Sequence, residues 1–122
     1  MTARFWIGAT ALVHFAFTIV EMFLWDRLAP RVAPELTTDG VAATEMIAFN
    51  MGLYNGFFAV GLTVTLLASL TAERAAAIQV FILICVVVAG IVGFLTLGGI
   101  TFLAAQAAPA VIALFLMRKE RV

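Results

Sequence analysis

From Ala75 to Met117 the chain runs 43 residues without one charged side chain, more than a single membrane crossing needs. At a rise of about 1.5 Å per residue, roughly 20 residues traverse about 30 Å of hydrocarbon, so this stretch holds two helical spans and a reversal. Gly98-Gly99, following Leu97, break a helix at low cost and mark the turn. The same reckoning finds one span between Arg4 and Asp26, 21 residues interrupted only by Glu21. Another lies between Glu45 and Glu73, 27 residues with no charge. The expectation is an all-α transmembrane four-helix bundle with helices over 5–25, 44–70, 75–96 and 101–117, forming a single integral membrane domain over residues 1–122.

Composition agrees and excludes other classes. With 65% apolar and 11% charged residues, the chain cannot cover a water-facing surface. Seven cationic and seven anionic side chains leave no basic stripe for a phosphate backbone, so no nucleic-acid partner is expected. Cys85 is the only cysteine, which removes intrachain disulfides and thiolate metal sites. Met1 to Arg4 resembles the basic start of a signal peptide, but the apolar segment after it is too long, and Ala29-Pro30 suits no small-residue cleavage site; the segment is read as a span.

The loop charges orient the bundle. Arg4, Arg74, Arg118, Lys119 and Arg121 fall on one side and only Arg27 and Arg31 on the other, so both termini are expected in the cytoplasm. Residues 26–43 then form an extracytoplasmic loop, in which Pro30 and Pro34 discourage a continuous helix and Asp39-Gly40 mark a turn. Trp6 and Trp25, 19 positions apart, are expected at opposite interfaces and serve as a depth scale.

On that scale Glu21 lies about 6 Å and His14 about 16 Å below the outer interface. Asn50 falls roughly 7 to 9 Å deep, Tyr54 and Asn55 about 15 Å, and Gln106 roughly 8 Å. His14, Thr18, Glu21 and Trp25 share one helical face, and Asn50, Tyr54, Phe57 and Gly61 share another; the two are expected to face each other. Carboxylates and carboxamides facing lipid are costly, so these groups should meet inside the bundle around a polar pocket that opens outward. Glu21, His14, Asn50, Tyr54, Asn55, Gln106 and Trp25 are therefore the candidate ligand-binding or proton-coupling residues.

Each candidate also has a structural reading. Glu21 is either a hydrogen-bond acceptor that fixes packing or a protonatable site. His14 is either a satisfied core residue or a functional one, and the carboxamides bind helices together whatever the protein does. Glu45 reads as a solvated carboxylate at a helix start. Seven positions separate His14 from Glu21, about 10.5 Å along a helix, too far for one metal shell, so neither metal nor cofactor is expected. Ser69 and Cys85 lie too far from His14 for nucleophilic catalysis. Gly52 and Gly56 form a G-x-x-x-G pair, and Ala89 and Gly93 a similar one, suited to helix packing within the bundle or to a homo-oligomer face. Pro109 should kink the last helix beside Gln106.

Taken together, His14 with Glu21-Met22-Phe23 and Trp25, the run Asn50 to Gly56, Ala89-Gly90 with Gly93, and Gln106 with Pro109-Ala110 resemble the domain of unknown function 1304 family, small bacterial integral membrane proteins with four spans. Met51 departs from the pattern, standing where the family has a polar Gln. The resemblance implies a bacterial cytoplasmic membrane. Some relatives carry an epimerase label, for which no residue here speaks.

Three functional classes follow. The first is a protein that binds or transports a small lipophilic molecule, with Glu21 exchanging a proton; its membrane carboxylate in the first of four short spans is similar to that of the small multidrug resistance transporters. The second is an intramembrane enzyme of the isomerase or epimerase kind, with Glu21 as acid or base, His14 as proton partner, and Tyr54 or Asn55 orienting a hydrophobic substrate. The third is a structural membrane subunit whose polar layer fixes helix register. Binding or transport is the favoured expectation, with membrane lipid, a lipophilic ligand and a second copy of the chain as partners.

Overall fold

A computed structural model describes residues 2–32, 34–97 and 99–120. These residues form helices and no strand: α1 (Ala3–Phe23), α2 (Trp25–Val32), α3 (Thr38–Leu67), α4 (Ala72–Leu97), a π-helical turn (Phe102–Ala107) and α5 (Ala108–Glu120). Four segments are long and apolar enough to cross a bilayer: Ala3–Phe23, Thr38–Leu67, Ala72–Thr96 and Phe102–Glu120. They pack as a ring in which α1 touches α3 and α5, and α4 touches α3 and α5. The four-helix bundle read from the sequence is the observed architecture. Of the glycines expected at the last reversal, Gly98 lies outside the described residues.

The α1–α3 contact is built from small side chains. The buried positions of α3 are Ala48, Gly52, Asn55, Ala59, Leu62 and Thr65, alternately four and three apart as far as Leu62, and those of α1 are Ala3, Ile7, Thr10, Ala11 and His14. Such spacing gives a seam between helices that cross at a shallow angle. At Gly52 an added Cβ would lie 2.5 Å from Met22 Cγ and 3.1 Å from the Met22 backbone nitrogen, so only glycine allows this approach. The G-x-x-x-G pair therefore packs within the chain, with Gly56 against Thr18. In the half of the bundle near both termini, Ile7, Leu62, Leu83, Val86, Ala110 and Ala113 form the apolar core.

The segment 26–43, expected as a loop, is largely helical. Leu24 leaves the α-helical region and ends α1, and the chain restarts as α2 at Trp25. Pro30 is accommodated inside α2, which buries Ala29 while Asp26, Arg27 and Arg31 stay exposed, as in a helix lying at an interface. Asp39-Gly40 do not form a turn but belong to the first turn of α3. The reason is a cap: the Thr37 hydroxyl accepts from the Gly40 backbone N–H at 3.2 Å, and Asp39 suits the positive end of the helix dipole. At the other end of the bundle, Arg4 Nη2 donates to the Leu66 carbonyl at 3.1 Å, and the Ala3 backbone N–H donates to Glu120 Oε1 at 2.9 Å. Both bonds satisfy groups that helix ends leave open.

Pro109 acts through the turn before it. Without an N–H, and with a ring that crowds the carbonyl four residues back, it cannot follow an ordinary α-helical turn. The chain widens instead: the Ala108 N–H reaches Leu103 O, and Phe102–Ala107 are π-helical. Gly90 of α4 sits directly against this wide turn, where an added Cβ would come within 2.9 Å of Phe102 O and of Ala107 Cβ.

Candidate functional site

In the half of the bundle away from the termini, the four spans enclose a cavity of about 310 Å³. Helix α1 contributes Phe17 and Glu21, and α3 contributes Met51, Tyr54, Asn55 and Phe58. The other wall is Ala89, Val92, Gly93 and Thr96 of α4 with Phe102 and Gln106 of the wide turn. Below it α3 and α4 close together, where the Cδ1 of Ile82 packs on Gly61 and Gln79 Nε2 donates to Thr65 Oγ1 at 3.0 Å. Above, Met51, Tyr54, Val92 and Thr96 are exposed. The cavity is thus a wedge between α3 and α4 whose mouth faces sideways out of the bundle.

The polar edge of the cavity is an acidic one. Asn55 Nδ2 donates to Glu21 Oε2 at 2.7 Å, linking α3 to α1. One turn back on α1, Thr18 Oγ1 lies 3.0 Å from Gly52 O and 2.9 Å from His14 O, so its hydrogen is shared between two helices. Glu21 is the one carboxylate among the lining residues, and none of them is Lys or Arg. Among the described residues none donates to its Oε1, and none has a polar side-chain atom that lacks a partner and is sealed from open space.

His14 stands one layer behind. It is completely buried, with Phe17 and Phe58 edge-on at ring-centroid distances of 5.9 Å, so these two phenylalanines separate it from the cavity they line. Its Nδ1 lies 2.8 Å from Thr10 O. A carbonyl oxygen only accepts, so Nδ1 carries the proton and Nε2 is left as an acceptor. Gln106 Nε2 meets that acceptor at 3.4 Å, a long bond that nevertheless fixes which end of the amide turns toward histidine.

Of the seven residues singled out from the sequence, Glu21, Tyr54, Asn55 and Gln106 line the cavity. His14 touches Gln106 but does not line it. Trp25 does not share the α1 face, because α1 ends at Phe23; its indole Nε1 donates to Thr44 Oγ1 at 3.1 Å and it borders a second cavity of about 460 Å³ beneath α2, beside Asp26 and Glu45. Asn50 is exposed, outside the lining of either cavity. The inward face of α3 carries Gly52 and Asn55, not the stripe Asn50, Tyr54, Phe57 and Gly61 expected to meet α1. At about 100° per residue, Asn50 sits roughly 200° around the helix from Gly52, and the close approach at Gly52 decides the rotation.

Several contributors were not visible as candidates. Phe17, Phe58 and Phe102 read as ordinary apolar span residues, and Met51 also lines the cavity. Gln79, a single carboxamide in a long apolar run, is buried and holds α3 to α4 through Thr65.

Comparison with known proteins gives a family and no activity. A family model described as a protein of unknown function, DUF1304, matches residues 8–118, from the second turn of α1 to the last turn of α5. No curated protein and no solved structure matches the chain. The match takes in all four spans and every cavity-lining residue, and the chain belongs to the DUF1304 family.

Proposed function

We propose that this membrane protein binds a small lipophilic molecule in the cavity between Glu21, Tyr54, Asn55 and Gln106 and carries it, with Glu21 exchanging a proton for the solute. The observation that carries this reading is the cavity itself: about 310 Å³, within the range of small-molecule sites, walled by phenylalanines and holding a carboxylate with no Lys or Arg among the described lining residues. A bundle serving only to fix helix register would gain from filling such a space. The mouth between α3 and α4 suits a solute that arrives through the membrane rather than from water. Because the cavity occupies one half of the bundle, carriage across the whole bilayer calls for a second copy of the chain. The arginine and lysine distribution supports a cytoplasmic-membrane orientation with both termini inside and the cavity in the outer half.

The test is equilibrium binding of a panel of lipids and amphiphiles to the protein in lipid nanodiscs, followed by flux into proteoliposomes under a pH gradient. Glu21→Gln and Asn55→Ala are expected to weaken binding, and Glu21→Gln to abolish flux that depends on the gradient. A proton and the solute compete for one carboxylate, so acidification should lower affinity. Binding insensitive to both substitutions would refute the proposal. Proton release or uptake without turnover separates carriage from catalysis, since an enzyme would convert the bound molecule.

A further inference from the structure

We infer that the ligand class of this cavity is the lipophilic amine in its ammonium form, an inference that rests on the ligand-binding reading above and adds the chemistry of the head group. Three observations converge on it. The first is charge. Among the described residues Glu21 brings the only carboxylate to the cavity wall, no Lys or Arg accompanies it there, and its Oε1 is open. A cation brought into this apolar space would supply the counter-charge the protein omits.

The second is the direction of the amide groups. Thr10 O fixes the His14 tautomer with hydrogen on Nδ1, and the resulting acceptor at Nε2 holds the Gln106 amide with its nitrogen turned inward. Asn55 commits its Nδ2 to Glu21 in the same way. Thr96, also in the wall, spends its hydroxyl hydrogen on Val92 O at 2.8 Å. Asn55 and Gln106 each spend one amide hydrogen inside the protein and keep one, and with Thr96 they leave their oxygens to accept beside the Glu21 carboxylate. Acceptor sites therefore outnumber donors along this edge and reward a ligand rich in N–H donors. A primary ammonium carries three.

The third is the wall. Phe17, Phe58 and Phe102 surround the space and Tyr54 stands at its mouth, and aromatic faces attract a cation where water is excluded. Aromatic walls alone would accept a quaternary ammonium equally well. The acceptor edge is what selects against it, because a trimethylated nitrogen has no hydrogen to give.

The experiment is equilibrium dialysis of four octyl compounds against the intact protein in nanodiscs at neutral pH, with protein-free nanodiscs as baseline: octylamine, octyltrimethylammonium, octanol and octanoate. At that pH an alkylamine is an ammonium, like the lysine side chain. The tail is held constant, so partition into lipid and apolar contact are matched and the head group decides. Octylamine is expected to bind saturably and at least tenfold more tightly than each of the other three. Glu21→Gln is expected to erase that preference, and the four-ligand comparison on the unaltered chain stands even if the variant fails to fold. If any of the other three matches octylamine, the amine class is wrong while a ligand cavity remains. If none of the four saturates, this inference and the proposed function fall together.

Discussion

Asn55 on α3 donates to the Glu21 carboxylate on α1 at 2.7 Å, one turn from the point where Gly52 lets the two backbones meet. The bond is part of the helix contact and part of the cavity edge, so the two roles must be separated. A double-mutant cycle of Glu21→Ala and Asn55→Ala, read by reversible unfolding in detergent, should give a coupling of about 0.5 to 1.5 kcal/mol, the range of hydrogen bonds between membrane helices. Asn55→Ala leaves the carboxylate in place without its amide partner, and should weaken ligand binding less than Glu21→Gln does. Equal losses of binding would mean that the pair matters only as packing.

The contact at Gly52 predicts a contrast with Gly56. A Cβ at position 52 collides with the Met22 backbone nitrogen at 3.1 Å, which cannot move without shifting α1, whereas at position 56 the nearest atom is Thr18 Oγ1 at 3.4 Å. Gly52→Ala should therefore cost about 1 to 3 kcal/mol by overpacking, and Gly56→Ala well under half of that. Unfolding midpoints of the two variants check the order. Because both glycines face α1, neither substitution should change the oligomeric state, measured by light scattering; a loss of oligomer from Gly52→Ala would place this face between chains instead.

The spans and their polar groups, which solvent sorts, are legible in this sequence; the rotation of each helix, which packing sets, is not. Charges are costly in hydrocarbon, so their spacing marks all four spans, and Glu21, Asn55 and Gln106, polar groups too costly to leave apart, line one cavity. Helix rotation depends on which side chains are small enough for contact. The alternating spacing of Ala48, Gly52, Asn55, Ala59 and Leu62 contained that information, but the more conspicuous polar stripe through Asn50 drew the inward face to the wrong side. The start of α3 at Thr38 was missed because it rests on one hydroxyl cap in a polar stretch, beyond the reach of hydropathy. A kink at Pro109 was expected; a π-helical turn that seats Gln106 was not, since a sequence shows the missing N–H but not how the carbonyls are re-paired.

Gln79 gives the structural counterpart of the cavity. Its amide donates to Thr65, which in turn donates to Leu62 O at 2.7 Å, so α3 and α4 are tied below the wedge. Gln79→Leu removes the interhelical bond yet leaves the threonine hydroxyl satisfied, and should cost about 0.5 to 1 kcal/mol of stability. Ligand selectivity should be unchanged, because neither Gln79 nor Thr65 lines the cavity. A change in the preference among the octyl compounds on Gln79→Leu would show that the wedge is not fixed independently of its base.

His14 should act on the ligand without touching it. Its Nδ1–H is held by Thr10 O, and its Nε2 orients the Gln106 amide, whose position depends on the wide turn before Pro109. His14→Phe fills the volume and keeps the aromatic contacts to Phe17 and Phe58 but offers no acceptor, so the Gln106 amide loses its reason to face inward. The fold should survive, at a cost of about 1 to 2 kcal/mol for the lost polar partners. The informative quantity is the ratio of octylamine to octanol affinity, which a purely structural histidine would leave alone. That ratio should fall several-fold in His14→Phe and fall similarly in Gln106→Leu, with no further fall in the double variant, because both changes remove one acceptor from the same edge. Independent, additive losses would break the proposed chain from Thr10 through His14 to Gln106.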